Sequence, residues 1–337
     1  MPTDILLEVS GLSKEFPVHA GLLRRRIAVL RAVQDVNFSL RRGETLGIVG
    51  ESGCGKTTLA RCITRLIEPT SGSVKIFLDG SGIDILSLNG SELRRYRRNM
   101  QMVFQDPVGS LNPRLPVREI VGEPLIVNRV CSGTELTNRV AELLEMVGLS
   151  GVDMHRYPHA FSGGQRQRIG IARALALQPD LIIADEPVSA LDVSVRAQIL
   201  NLLSDLRDKL GLSLIFIGHD LSIIRYVCDR VAVMYLGRVV EVGSASGVFA
   251  KPRHPYTEAL LSAAPIADPA AQRKRSRISL SGEPPSPLNP SRGCAFHPRC
   301  SYAVDGCREN VPELRSLALD SSAACIRAEE LVLRGIS

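Results

Sequence analysis

The stretch that decides the fold is Gly50-Glu51-Ser52-Gly53-Cys54-Gly55-Lys56-Thr57. It follows the short apolar run Thr45 to Val49, which suits a buried strand. It opens a segment in which Leu59, Ile63 and Leu66 recur at helical spacing. A glycine-rich turn between a strand and a helix, closed by Lys and Thr, is the P-loop pattern, whose backbone N–H groups converge on phosphate oxygens. The sequence therefore predicts a nucleotide-phosphate site on this loop.

A pair of adjacent acids ends a second apolar run. Leu181 to Ala184 is followed directly by Asp185 and Glu186. Two acids at the end of a strand could simply be solvated, but an upstream P-loop favours catalysis. Lys56 is then expected to reach the β- and γ-phosphates, the Thr57 hydroxyl and Asp185 to hold Mg²⁺, and Glu186 to polarise the attacking water.

Short apolar runs alternate with helical patterns along the chain. The predicted buried strands are Thr45 to Val49, Leu181 to Ala184, Leu214 to Gly218 and Val231 to Tyr235, with Met100 to Phe104 also strand-like. The predicted helices are Glu135 to Val147, Arg166 to Leu177 and Val195 to Leu206. This alternation predicts an α/β fold with a mostly parallel sheet.

Composition changes divide the chain into three predicted parts. Residues 1–105 and 162–248 carry the strand and helix pattern of an ATPase core. Residues 106–161 begin with several prolines and continue with an amphipathic segment, which predicts a helical subdomain. Residues 249–337 are rich in proline and contain four of the eight cysteines, so a C-terminal appendage is expected there.

The ends and the charge of the chain limit where it acts. Asp4 and Glu8 stand where a secretory signal needs a basic start, and no uncharged apolar run reaches 18 residues. A cytoplasmic chain with a peripheral membrane role is expected. The net charge of +6 includes arginine clusters at Arg24 to Arg26, Arg94 to Arg98 and Arg273 to Arg277. These could attract nucleic acid or anionic lipid, or form solvated surfaces.

The segment Phe161-Ser162-Gly163-Gly164-Gln165, directly before a predicted helix, resembles the signature of ATP-binding cassette (ABC) proteins. The resemblance implies a RecA-like P-loop cassette whose signature faces the γ-phosphate held by a partner cassette in a head-to-tail dimer. Gln105 resembles the Q-loop glutamine, Ser189 to Asp192 the D-loop and His219 the switch histidine. Phe16 stands where such cassettes stack an aromatic ring on adenine, although a core phenylalanine is the competing interpretation.

Motifs and resemblance together give the expected site. The catalytic residues are Glu186, His219 and Gln105. The magnesium ligands are Thr57, Gln105 and Asp185. The residues expected to contact nucleotide are Phe16, Gly50, Glu51, Ser52, Gly53, Cys54, Gly55, Lys56, Thr57, Thr58, Gln105, Ser162, Gly163, Gly164, Gln165, Asp185 and Asp192.

Three further segments narrow the resemblance to the ATPases of oligopeptide and dipeptide importers, most closely to the second ATPase subunit of dipeptide importers. They are Gln105 to Arg114, His254 to Leu261 and Gly293 to Cys300. The implied partners are a second ABC ATPase, homologous or identical, two transmembrane permease subunits and, indirectly, a substrate-binding protein. The implied location is the cytoplasmic face of the inner membrane. The solute stays open, since relatives also move nickel chelates, glutathione or sugar derivatives.

Four cysteines fall within one short C-terminal stretch. Cys294, Cys300, Cys307 and Cys325 are separated by 5, 6 and 17 residues, unlike the paired C-x₂-C knuckles of zinc ribbons. Four thiolates can hold an iron–sulfur cluster or zinc. The family resemblance implies a [4Fe–4S] cluster, with Zn²⁺ or free thiols as the alternatives.

Two other function classes compete with the transporter. A soluble ABC ATPase acting on nucleic acid or ribosomes would suit the basic charge. However, only about 105 residues separate Lys56 from Ser162, too few for the long coiled coil of DNA-repair cassettes, and translation-type proteins carry two cassettes. A P-loop kinase would leave the signature-like segment and His219 unexplained.

Overall fold

The computed structural model describes residues 4–20, 25–78, 80–264, 291–318 and 320–336, with the single positions 278, 280, 282, 285, 286 and 288. The strands are β1 Ile5–Ala20, β2 Arg25–Arg41, β3 Thr45–Val49, β4 Ser71–Leu78, β5 Ser81–Asp84, β6 Met100–Val103, β7 Leu181–Asp185, β8 Ser213–Gly218, β9 Arg230–Tyr235, β10 Arg238–Ser244, β11 Arg315–Ala318 and β12 Ser321–Ala323. The α-helices are α1 Lys56–Ile63, α2 Gly90–Arg97, α3 Val117–Val127, α4 Gly133–Met146, α5 Gly163–Leu175, α6 Val193–Leu210, α7 Leu221–Val227, α8 Ala245–Ala250, α9 Pro255–Ala263 and α10 Gly306–Glu309. Single 3₁₀ turns occupy Gly151–His155, Pro158–Ala160 and His297–Arg299.

The chain divides into two compact units. The first unit contains Met1–Leu40, Thr45–Leu86 and Gly218–Ser337, and the second contains Arg41–Glu44 and Ser87–Ile217. Both units are discontinuous in sequence, because the chain leaves the first unit after β5 and returns to it after β8.

The first unit carries two sets of strands. One is a sheet with the order β2-β1-β4-β5, in which the β1–β4 and β4–β5 pairs are antiparallel. The other has the order β11-β12-β10-β9-β3, in which β3 and β9 pair in parallel and the remaining pairs are antiparallel. Tyr235, Tyr256 and Phe249 are among the largest side chains buried in this unit.

The second unit combines parallel strands with helices. Its strand order is β8-β7-β6, and both pairs are parallel. All residues of β7 and of β8 are buried, as expected for parallel strands covered on both faces. Helices α3, α4 and α5 contact one another through buried aliphatic side chains such as Val121, Leu143 and Ile169.

The strands and helices predicted from apolar patterns are present. Strand β3 has the predicted bounds, and α4, α5 and α6 lie within four residues of theirs. The antiparallel sheet of the first unit was not predicted. Two short helices, α8 and α9, lie where the proline-rich C-terminal part begins. Arg24 and the cluster Arg273 to Arg277 lie outside the described residues.

Within the described ranges, none of the helices combines the length and the apolar character that a bilayer crossing requires.

Candidate functional site

The P-loop lies between β3 and α1 in the first unit. Gly50 and Gly55 adopt φ angles of 157° and 105°, which L side chains rarely adopt. A Cβ atom at Gly50 would collide with the carbonyl oxygen of Met234, and one at Gly55 with that of Ala32. These two glycines therefore let the loop turn tightly against the neighbouring strands.

The side chain of Lys56 points back into this loop. Only 5% of the residue is exposed, and its ammonium group donates to the carbonyl oxygens of Gly50 at 2.8 Å and of Glu51 at 3.0 Å. The Cys54 thiol lies 3.8 Å from the same Nζ atom, and burial raises its pKa. These contacts of the buried cation are all to neutral groups. Buried charges are normally paired, so the loop fits an anionic ligand such as phosphate.

Two more predicted site residues belong to the first unit. The Phe16 ring on β1 is half-buried, and the Lys14 ammonium lies 4.8 Å from its centroid. His219 directly follows β8 and is exposed. Asp220 next to it caps α7 by accepting hydrogen bonds from the backbone N–H groups of Ser222 and Ile223.

The second unit brings Gln105 and the acid pair together. Gln105 Nε2 donates to Glu186 Oε2 at 3.1 Å. Glu186 has a positive φ of 46°, an uncommon conformation for a non-glycine residue, and its backbone N–H donates to Ile217 O at 3.0 Å. Asp185 ends β7 and is only 2% exposed. Such backbone strain as that of Glu186 concentrates at functional sites.

The signature-like segment starts α5 in the same unit. The Ser162 hydroxyl accepts from the Gln165 N–H at 3.3 Å, and the Gln165 side chain accepts from the Ser162 N–H at 3.0 Å. This reciprocal capping box satisfies two donors at the helix start. A Cβ atom at Gly164 would collide with Val195 of α6, so the glycine allows the two helices to approach. Asp192, the exposed N-cap residue of α6, makes no capping hydrogen bond through its side chain.

Two residues that contact the P-loop had no role in the prediction. The backbone N–H of Glu51 donates to Tyr256 Oη at 2.9 Å, and Arg299 Nη1 lies 3.1 Å from the nearer carboxylate oxygen of Glu51. Both lie in segments that resemble peptide-importer ATPases. No local sequence pattern indicates contacts across 205 and 248 residues.

The predicted iron–sulfur cluster is wrong, and the zinc alternative falls with it. In the part of the chain that the structure describes, which includes all four C-terminal cysteines, no group of three or more His, Cys, Asp or Glu residues could hold a metal ion. Burial raises the pKa of the thiols of Cys294, Cys300 and Cys325. The cysteines are free thiols.

Three features together define the class of ATP-binding cassettes. They are a P-loop with a buried lysine, an acid pair at a strand end joined to a glutamine, and a capped signature helix. The sequence model described as "ABC transporter" matches residues 33–189, and that described as "Oligopeptide/dipeptide transporter, C-terminal region" matches residues 240–307.

Individual relatives agree with these matches. The chain is 55% identical to "Probable peptide ABC transporter ATP-binding protein y4tS" of Sinorhizobium fredii, over 96% of this chain and 90% of the relative. It is 50% identical to "Oligopeptide transport ATP-binding protein AppF" of Bacillus subtilis, over 96% and 97%. Among solved structures, the ATP-binding cassette MJ0796, a dimer bound to ADP and Pi, superposes with a TM-score of 0.62 at 32% identity, covering 71% of this chain and 99% of that one.

The chain belongs to the ABC transporter family, as one of its ATP-binding proteins, and is an ABC-type ATPase. ATP and Mg²⁺ are the expected ligands of such a cassette. The alternative function on nucleic acid or ribosomes is not supported, because these relatives are named as transport proteins.

Proposed function

We propose that this chain is the ATP-binding and ATP-hydrolysing subunit of an importer that takes up di- or oligopeptides, or a related solute, across the cytoplasmic membrane. The buried Lys56 ammonium, held inside a glycine-rich loop by neutral groups, is the observation that carries the proposal. A cation in this setting favours a polyanion as its ligand. The peptide-transport names of the relatives support the solute class.

In the first unit, the loop residues Gly50 to Thr58 hold the phosphates of ATP. Lys56 exchanges its bonds to loop carbonyls for bonds to the β- and γ-phosphates, and the Thr57 hydroxyl is a magnesium ligand. Phe16 stacks on the adenine ring, and His219 contacts the γ-phosphate as the switch histidine. These roles follow from the family resemblance and the motif chemistry.

In the second unit, the acid pair supplies the hydrolytic chemistry. Asp185 and Gln105 hold the magnesium ion, which neutralises charge on the phosphate oxygens when it is bound. Glu186 orients and polarises the attacking water as its general base. The hydrogen bond from Gln105 supports this role, because it holds the carboxylate of Glu186 in one orientation.

The signature segment acts on a second cassette. Ser162, Gly163, Gly164 and Gln165 offer the N-terminus of α5 to the γ-phosphate bound by a partner cassette, and Asp192 lies at that dimer contact. The solved cassette MJ0796 is dimeric, which supports a paired arrangement for this chain. The partner cassette is identical or homologous, and two permease subunits and a substrate-binding protein complete the transporter.

The proposed location is the cytoplasmic face of the inner membrane.

The proposed roles of the three parts of the chain follow the predicted boundaries. Residues 1–105 and 162–248 form the ATPase core, residues 106–161 form the helical subdomain that receives the permeases, and residues 249–337 form the cysteine-containing appendage. The match of the importer-specific C-terminal model to residues 240–307 supports an appendage of this kind.

Reconstitution of the transporter tests the proposal. The chain is purified with its permeases and partner cassette and inserted, with the cassettes facing outward, into vesicles that enclose the substrate-binding protein. Mg-ATP added outside is expected to drive a labelled dipeptide from the lumen to the outside, and a non-hydrolysable ATP analogue is not. Peptide movement independent of ATP, or failure of the chain to join the permeases, contradicts the proposal. ATP-driven movement of another solute would correct the solute class only.

A further inference from the structure

The P-loop residue Glu51 is hydrogen-bonded through its carbonyl oxygen, its backbone N–H and its carboxylate. Its carbonyl oxygen accepts from Lys56 Nζ at 3.0 Å, and its N–H donates to Tyr256 Oη at 2.9 Å. Arg299 Nη1 donates to its carboxylate oxygens at 3.1 and 3.3 Å. Tyr256 belongs to α9 and Arg299 to the 3₁₀ turn His297–Arg299, so two of the three contacts come from the C-terminal segment.

Both C-terminal residues are fixed in place. Tyr256 is fully buried, and the side chain of Arg299 is 8% exposed. The ring of Tyr256 packs 4.6 Å from that of Tyr235 and 5.5 Å from that of Phe296. Arg299 Nη1 also lies 3.4 Å from Tyr235 Oη. Tyr256 and Arg299 therefore contact Glu51 from a cluster of buried aromatic side chains, and neither is a mobile surface residue.

The negative charge of Glu51 links its pairing with Arg299 to the binding of an anionic ligand. Its carboxylate belongs to a loop whose lysine and glycines suit phosphate, so an unpaired Glu51 would repel a polyphosphate ligand. Pairing with Arg299 cancels this negative charge. A charge-assisted pair that is largely buried on one side is also more strongly ordered than an exposed one.

We propose that Arg299 is a positioning residue for nucleotide binding, which neutralises Glu51 and, with Tyr256, holds the P-loop in its phosphate-binding shape. Nucleotide affinity then depends on the C-terminal segment. The inference rests on the proposed function, in which this loop binds the phosphates of ATP.

A double-mutant cycle tests the proposal on the full chain. The dissociation constant of fluorescent N-methylanthraniloyl-ATP with Mg²⁺ is measured for wild type, Arg299→Met, Glu51→Gln and the double variant. Arg299→Met is expected to weaken binding about tenfold in the wild-type background, because it exposes the phosphates to an unpaired carboxylate. In the Glu51→Gln background the same change is expected to weaken binding less than about twofold, because no carboxylate remains.

Two further variants separate charge from folding. Arg299→Lys keeps the positive charge and is expected to restore most of the affinity. Tyr256→Phe removes only the hydroxyl that accepts from the Glu51 N–H, and we expect about threefold weaker binding. If Arg299→Met does not fold, as judged by its circular dichroism, Arg299→Gln, which also removes the positive charge but keeps a polar side chain, takes its place in the cycle with Glu51→Gln.

Equal losses in the wild-type and Glu51→Gln backgrounds would overturn the proposal, since Arg299 would then only support the fold. Unchanged affinity in Arg299→Met would overturn it as well. Failure of the wild-type chain to bind the nucleotide would instead refute the proposed function, so the two failures are distinguishable.

Discussion

Two helices of this chain start with glycine-rich turns, and they satisfy their first N–H groups in different ways. At the start of α5, Ser162 and Gln165 cap each other's backbone. At the start of α1, the N-cap is Gly55 in a left-handed conformation, which offers no side-chain acceptor. The first four N–H groups of any helix need partners. The signature helix is thus capped by its own side chains, whereas the P-loop helix has no side-chain cap, so its N-terminus suits an anionic ligand.

The P-loop and the signature cap therefore depend on different kinds of contact. The P-loop is shaped by contacts from distant residues, namely Ala32, Met234 and Tyr256. The signature cap is made within four consecutive residues. Changes at the P-loop should therefore act on ligand binding, and changes in the second unit should act on turnover or on local stability. Three predictions test this separation, and a fourth tests the buried polar support of the first unit.

The largest effect is expected at Glu186. Glu186→Gln keeps the shape of the side chain but removes the carboxylate that orients water, so turnover should fall by about 10²- to 10⁴-fold. ATP binding should persist, because the phosphate-binding loop is unchanged. Steady-state hydrolysis of the assembled transporter and equilibrium nucleotide titration measure the two quantities. Turnover like that of wild type would contradict the assigned role.

The next largest effect is expected at Lys56. Lys56→Ala removes the buried ammonium and should weaken ATP binding by about 10- to 100-fold, the value of hydrogen bonds to charged groups. Hydrolysis at subsaturating ATP should fall in parallel. Titration with a fluorescent ATP analogue measures the affinity. Unchanged affinity together with reduced turnover would place Lys56 in the chemical step and break the separation between the two regions.

The sequence predicted the strands and helices of the two regions more fully than the long-range contacts that hold them in place. Strand β3 is legible because a parallel strand buried on both faces is a continuous apolar run. Strand β1 is not, because a register shift between Ser10 and Ser13 disrupts the alternation that marks a strand with one buried face.

The candidate site divides in the same way. The loop, the acid pair and the signature are local patterns, so their residues could be named from the sequence, although their roles stay predictions. The contacts of Glu51 with Tyr256 and Arg299 depend on the fold and have no local signal. The C-terminal cysteines show an error in the other direction. Their clustering and the family resemblance predicted a metal site that the arrangement of the described residues does not provide.

A third prediction concerns the buried polar support of the first unit. The carboxylate of Glu241 accepts from the backbone N–H groups of Arg253 at 2.7 Å and His254 at 3.0 Å. Burial raises its pKa from 4.5 to about 7, although the hydrogen bonds from these two N–H groups oppose the shift. Between these two pH values the folded chain keeps a proton that the unfolded chain has released. The free energy of unfolding therefore falls as the pH rises through this window.

Replacement of Glu241 by Gln should remove this dependence. The difference in unfolding free energy between wild type and Glu241→Gln should shift by about 2 kcal/mol in favour of the variant between pH 5 and pH 8. Urea unfolding at the two pH values measures it. His254, whose pKa burial lowers to about 3, titrates in both proteins and cancels in the difference. A difference independent of pH would show that Glu241 is ionised throughout.

The smallest effect on stability, and the sharpest test of the comparison, is expected at Ser162. Ser162→Ala removes the cap of α5 and should lower the free energy of unfolding by about 1 kcal/mol. Ser244→Ala is the matched control, because Ser244 caps α8 in the same way by accepting from the Gly247 N–H at 3.2 Å. Both variants should lose similar stability in urea unfolding. Only Ser162→Ala should also lower the ATPase rate of the assembled transporter, because only this cap is proposed to face a phosphate. Equal ATPase rates in the two variants, at equal stability loss, would reduce Ser162 to a structural cap.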